Sequence, residues 1–239
     1  MRDTTTIKYT LKSDEADFEV ELVFRKEDFS LINLQPSNKE WIRLEHHKCF
    51  HCPLEQKQFP LCPLASAIDS VIAKLQNFHS YDKILAQVEY KHRLTTSETT
   101  VQGALSSLLG LIIPSSGCPH TVYFRPMSRF HLPFSDAEET IYRATTMFLL
   151  SQYFLNREQN CIPPDFTRLE TIYNNIHTVN KYICLRLREI SEDDSYLNAI
   201  VILDMFSMSI HSALKHDLHT LEPYFSAYSK DFVAPTPKE

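Results

Sequence analysis

Glycine is nearly missing from this chain, three residues in 239, where ordinary soluble proteins use about 7%. So few glycines leave little room for loops that cradle phosphates, and neither a Walker loop nor G-x-G-x-x-G is present. G-x-S-x-G, H-E-x-x-H and the deaminase pairing of H-x-E with P-C-x-x-C are also absent, which removes the common hydrolase and zinc-enzyme signatures. No block of Lys and Arg occurs, and the formal net charge is -6, so a phosphate-backbone footprint and general nucleic-acid binding are not expected. Long apolar runs are lacking as well. The longest, Ala104 to Ile113, holds two serines and falls short of the roughly 20 residues that span a bilayer. The start, Met1 to Thr6, is polar and lacks the apolar core of a secretory signal, so the expectation is a soluble, cytoplasmic protein without membrane contact.

What is present is the balance of a folded protein, 43% hydrophobic and 23% charged. Ile7, Tyr9 and Leu11 alternate with polar residues, and Phe18, Val20, Leu22 and Phe24 do the same, the period-two pattern of a half-buried hairpin. Phe29 to Leu34 reads as a short third strand. A loop follows in which Pro53, Pro60 and Pro63 forbid a continuous helix. Leu64, Ile68, Val71, Ile72, Leu75 and Phe78 then recur at helical spacing behind Pro63, and Ile84 to Leu94 alternates as a strand that can return to the sheet.

The remainder reads as helical. Ser97 to Ile113 is an apolar helix ended by Pro114. Ser135 with Glu138 makes a capping box for a helix to about Phe154, and Thr167 with Glu170 makes another, for a helix with the face Leu169, Ile172, Tyr173, Ile176, Val179, Ile183 and Leu187. A last long helix covers Tyr196 to Lys215. This order predicts one α+β domain over residues 1–232, with a small N-terminal antiparallel sheet, metal loop and first helix in 1–96, a helical part in 97–232, and a disordered tail at 233–239.

Six cysteines make the counterpart to the missing glycines. Cys49 and Cys52 form a C-x2-C pair, Cys62 follows after nine intervening residues, and Cys118 stands alone much later. A C-x2-C turn offers two thiolates to one tetrahedral ion, and the other half of such a site usually comes from a separate segment, here Cys62 plus Cys118. Cys52, Cys62 and Cys118 are each followed by proline, which stiffens the exit backbone. Cys62 also precedes a helix, whose positive dipole end favours a thiolate. Zinc is favoured by its frequency among C-x2-C sites, with a [4Fe–4S] cluster as the alternative. The competing reading is buried small hydrophobes. His46, His47, His51 and His120 flank the ligands. His47 and His120 are the candidates for an alternative ligand or a supporting shell, and Cys161 and Cys184 read as structural.

HKCFHCPL, LCPLA, SSGCPH, FRPMSRFHLPF and YRATTMFLLSQYF together resemble an uncharacterised bacterial family, a domain of unknown function. The resemblance spans almost the whole chain. It implies a bacterial origin and one evolutionary unit, and it supplies no activity and no catalytic residue.

Beyond Cys118, Arg125, Arg129, His131 and Arg143 sit in an apolar stretch of an acidic protein, and planar guanidinium donors there suit a pocket for a small anionic ligand beside the metal. The alternative for each arginine is pairing with Asp136, Glu138 or Glu139. Three functions remain: a metal-stabilised binding or regulatory module, a zinc enzyme with an open position and His120 or His131 as base, and a [4Fe–4S] redox or gas sensor. Gly103, Gly110 and Gly117 fall at seven-residue steps; the first two share a helix face, and the third can take the positive φ of a turn into Cys118.

Overall fold

Alternation in the first 25 residues builds a sheet. In the computed structural model, which describes residues 3–13, 17–72, 78–155, 165–190, 195–216 and 218–226, β1 (Thr4–Lys12) and β2 (Asp17–Arg25) form an antiparallel hairpin with Tyr9 opposite Val20 and Leu11 opposite Phe18. β3 (Lys83–Tyr90) returns to the other side of β1, and β4 (Arg93–Thr100) completes the order β2-β1-β3-β4. One face of the sheet carries Ile7, Tyr9, Leu11, Val20, Leu22, Ala86 and Val88, all buried. The opposite face carries charges such as Lys8, which pairs with Glu19 at 2.8 Å. The fold is α+β, with this antiparallel sheet at the N-terminus and most of the helix in the C-terminal part.

Three expectations are corrected at the sheet. Phe29 to Leu34 is no strand, because Phe29 takes φ 56° and only Leu31 bridges to Phe24. The strand read as Ile84 to Leu94 is two strands, turning at Lys91, whose φ is 57°. The second strand, RLTTSETT, has no apolar alternation, so it gave no period-two signal, and its Ser97–Thr100 end belongs to the sheet, not to the following helix. The β-branched threonines that suit a pleated edge are the one cue that was there.

Helices pack over the apolar face. α1 (Pro63–Ile72) and α2 (Val101–Ser115) sit against it; Thr100 caps α2 by accepting from the Gly103 amide at 3.3 Å. Pro114 lies within the last turn of α2, one residue before its end. After a short α3 (Arg125–Arg129), α4 (Ala137–Leu155), α5 (Thr167–Arg188) and α6 (Ser195–Lys215) enclose a second apolar cluster around Phe124, Phe148, Leu169 and Tyr173. The capping box of α4 is Asp136 with Glu139, one residue later than Ser135 with Glu138: each side chain accepts from the other's amide, at 2.8 and 2.9 Å. At α5, Asp165 rather than Thr167 takes the entry role, accepting from the Thr167 amide and hydroxyl. The buried face of α5 is as expected, except that Ile172 is only half-buried. α6 is, by length and composition, apolar enough to cross a membrane, yet here it lies along α2 and α5. Leu75, Cys161 and the 233–239 tail lie outside the described residues.

Candidate functional site

The loop between sheet and α1 is closed at its base. Arg43 bridges to Leu61, the Leu44 amide donates to Pro60 O at 3.0 Å, and the Cys62 amide donates to Ile42 O at 2.8 Å. From this neck the loop carries Cys49 and Cys52 outward and back, with the Cys52 amide donating to Cys49 O at 2.9 Å in a tight turn. Cys62 is the residue before Pro63, and its carbonyl accepts from the Ser66 amide, so it occupies the entry of α1. Gly117 takes φ 97°, and a β-carbon built on it would stand 3.7 Å from Pro63 Cβ. That left-handed turn brings Cys118 down beside Cys62.

Cys49, Cys52, Cys62 and Cys118 line one small pocket together with Leu44, Leu54, Val179, Ile183, His120 and Arg186. Three of the sulfurs are coupled to Cys49 closely enough to push its thiol up, after burial, to about 12. Burial likewise raises Cys118, to about 11, while the His120 amide facing its sulfur pulls the other way. No three of the four sulfurs lie mutually within 4.8 Å. Cys184 is a half-buried thiol outside this pocket.

Around the pocket stands a frame that the sequence did not suggest. Arg186, 2% exposed, donates from Nη1 to Trp41 O (2.5 Å) and Arg43 O (2.8 Å), and from Nη2 to Leu44 O (3.1 Å). It thereby ties α5 to the neck of the loop. Its guanidinium also faces Cys62, Cys49 and Cys52. His51 and His120 stack with ring centroids 3.9 Å apart; His120 Nε2 reaches His51 O at 3.0 Å and His51 Nε2 reaches Asn175 O at 3.3 Å. His46 and His47 grip Glu189 at 2.7 and 2.6 Å, and these three residues bring one ligand atom each within 4.8 Å of one another, close enough to share a metal ion. Glu189 and Arg186 are remote in sequence from the loop and carry no motif; the paired histidines were the only visible half.

The anion-binding candidates separate. Arg125 is held by Asp28 at 3.4 Å and by Pro114 O, and Arg129 meets Tyr90 Oη and stacks over Phe29 and Phe130. Their partners are therefore not Asp136, Glu138 or Glu139. His131 and Arg143 line a different, larger cavity between α2, α4, α5 and α6, which is lined by none of the four pocket cysteines. His131 Nε2 lies 2.5 Å from Tyr9 Oη, which also meets Ser107 Oγ at 2.9 Å; the Phe134 amide donates to the same Ser107 oxygen. Each group in that chain is satisfied once if Ser107 donates to Tyr9 and Tyr9 to a neutral imidazole. Burial and the nearby Arg143 charge lower His131 to about 3. His131 is thus far from serving a base at the cysteine pocket.

The family described as Domain of unknown function (DUF6901) matches residues 6–226. No characterised protein and no solved structure matches the chain.

Proposed function

The chain belongs to the DUF6901 family over nearly its whole length, a membership that assigns no activity, and from its residues we propose that Cys49, Cys52, Cys62 and Cys118 hold a metal centre as thiolates in a binding or regulatory module. The observation that carries this reading is Arg186. Its buried charge is hydrogen-bonded to three neutral carbonyls and faces three cysteines, and a buried cation is costly unless an anion is near. Uncharged thiols supply no such anion, and Glu189, the carboxylate that also faces the guanidinium, is already held by His46 and His47; four metal-bound thiolates supply it, because a bound cation deprotonates its thiols outright.

The sulfur spacing favours the larger of the two metal groups. Tetrahedral zinc with bonds of about 2.3 Å sets its sulfurs about 3.8 Å apart, and no trio here is that close. A [4Fe–4S] cluster places four iron atoms between its cysteines and accepts wider spacing. The centre would join the loop, the Cys118 turn and, through Arg186 and the two stacked histidines, α5. Loss of the group then releases three segments at once, the behaviour of a redox or gas sensor. Elemental analysis with a visible spectrum on protein purified without oxygen tests this. Four irons per chain with brown colour is the expected result, stoichiometric zinc without colour would replace the cluster by a zinc module, and absence of both metals would remove the proposal.

A further inference from the structure

A cavity of about 310 Å³ lies away from the four pocket cysteines, between α2 and the helices α4 to α6. Its volume is at the lower end of small-molecule sites. Its walls are largely apolar, with Ile113, Phe124, Met127, Leu203 and Phe206 among them, and among the described residues no Asp or Glu lines it. Gly110 opens one wall, since a side chain there would begin 3.7 Å from Leu203.

One end is polar. Arg143 donates to Met127 O at 2.7 Å, to Phe130 O at 3.4 Å and to Ser135 Oγ at 3.4 Å, which uses three of its five N–H groups. Among the described residues no carboxylate oxygen lies within 4.0 Å of this guanidinium; Glu139, the acid nearest in charge, is occupied at the Asp136 amide. Tyr173 faces the same guanidinium, is 6% exposed, and among the described residues its hydroxyl has no hydrogen-bond partner. A cation without a carboxylate partner and a phenol hydroxyl without a hydrogen-bond partner therefore meet at the polar end of an apolar chamber.

We propose that this cavity binds a free amphiphilic monocarboxylate of small size, its carboxylate on Arg143 and Tyr173 and its apolar body between α2 and α6. A doubly charged anion is disfavoured by the single cation, and an uncharged ligand leaves it unpaired. The site is independent of the metal centre, so failure of either reading leaves the other standing.

The test is calorimetric titration of the full chain with octanoate and with octanamide, its uncharged analogue. Octanoate should bind at least tenfold more tightly than octanamide, and Arg143→Gln should abolish that preference while octanamide binding persists. Equal binding of the two probes, or no binding of either at millimolar concentration, overturns the proposal. If Arg143→Gln does not fold, because it also ends α3, Tyr173→Phe decides: octanoate weakened threefold or more with octanamide unchanged supports the site, and octanoate unchanged overturns it.

Discussion

The imidazoles of His51 and His120 lie face to face, 3.9 Å between centroids, one carried by the C-x2-C turn and the other by the Cys-Pro-His turn 69 residues later. The stack joins the two halves of the cysteine pocket without using any of its sulfurs. Burial, and then the facing His120 ring, hold His51 below the ordinary imidazole range, so His51 is suited to packing as a neutral ring.

Replacing His120 by Ala should therefore cost about 1–2 kcal/mol in urea unfolding, the value of a lost hydrogen bond and ring contact. Metal content should stay at the level of the unaltered protein. A fall below half occupancy would make His120 a ligand.

Cysteine substitution separates the pocket from the rest. Cys118→Ser should lose most of the bound metal and lower the melting temperature markedly, because site formation is coupled to folding. Cys184→Ser should leave metal content unchanged, since that thiol stands outside the pocket. Full metal occupancy in Cys118→Ser would break the four-cysteine assignment.

Arg186 offers a sharper test of the frame. Arg186→Met should destabilise the fold by about 3 kcal/mol or more by stranding three carbonyls, and Arg186→Lys should recover only part, because an ammonium cannot reproduce the fork. Equal stability of both variants and the unaltered protein in a urea titration would show that the guanidinium does not hold the neck.

Acid should weaken the fold through His131. The unfolded chain takes up a proton near pH 6.5 that the folded ring refuses until about 3, so the unfolded state binds more protons throughout that window. Stability is thus highest above pH 6.5 and falls as the pH drops towards 3, by roughly 2–3 kcal/mol at pH 4.5 from this group. His131→Phe should flatten that part of the profile, measured as urea midpoints between pH 7.5 and 4.5.

Gly117→Ala should cost about 1–2 kcal/mol, since φ 97° is strained for any residue with a β-carbon. Gly110→Ala, with ordinary contact distance to Leu203 and a helical backbone, should be neutral or stabilising. The two melting temperatures, compared directly, check the contrast.

The hairpin, the return of the third strand, the buried face of α5 and the turn at Gly117 were all legible, because each rests on a local period or on the one residue that tolerates positive φ. The threonine-rich β4 was hidden, since a strand without apolar alternation announces itself only through its partner β3. The capping box of α4 was missed by one residue: Ser135 and Asp136 both suit a cap, and only packing decides between neighbours. At the site, spacing could nominate cysteines and histidines but not Arg186, Glu189 or Tyr173. Those three act through contacts made across more than 100 residues or through the absence of a partner, neither of which leaves a pattern in the chain.

β4 ends at Thr100 and α2 begins at Val101, with no connecting residue between them. A helix advances about 100° per residue, so one insertion at that junction would turn every α2 side chain away from its present neighbour. Gly110 would leave Leu203, Ser107 would leave Tyr9, and the exit towards Cys118 would point elsewhere. Members of the family should therefore differ freely in the length of their surface loops while keeping the count of residues from the β3–β4 turn to Cys118 fixed.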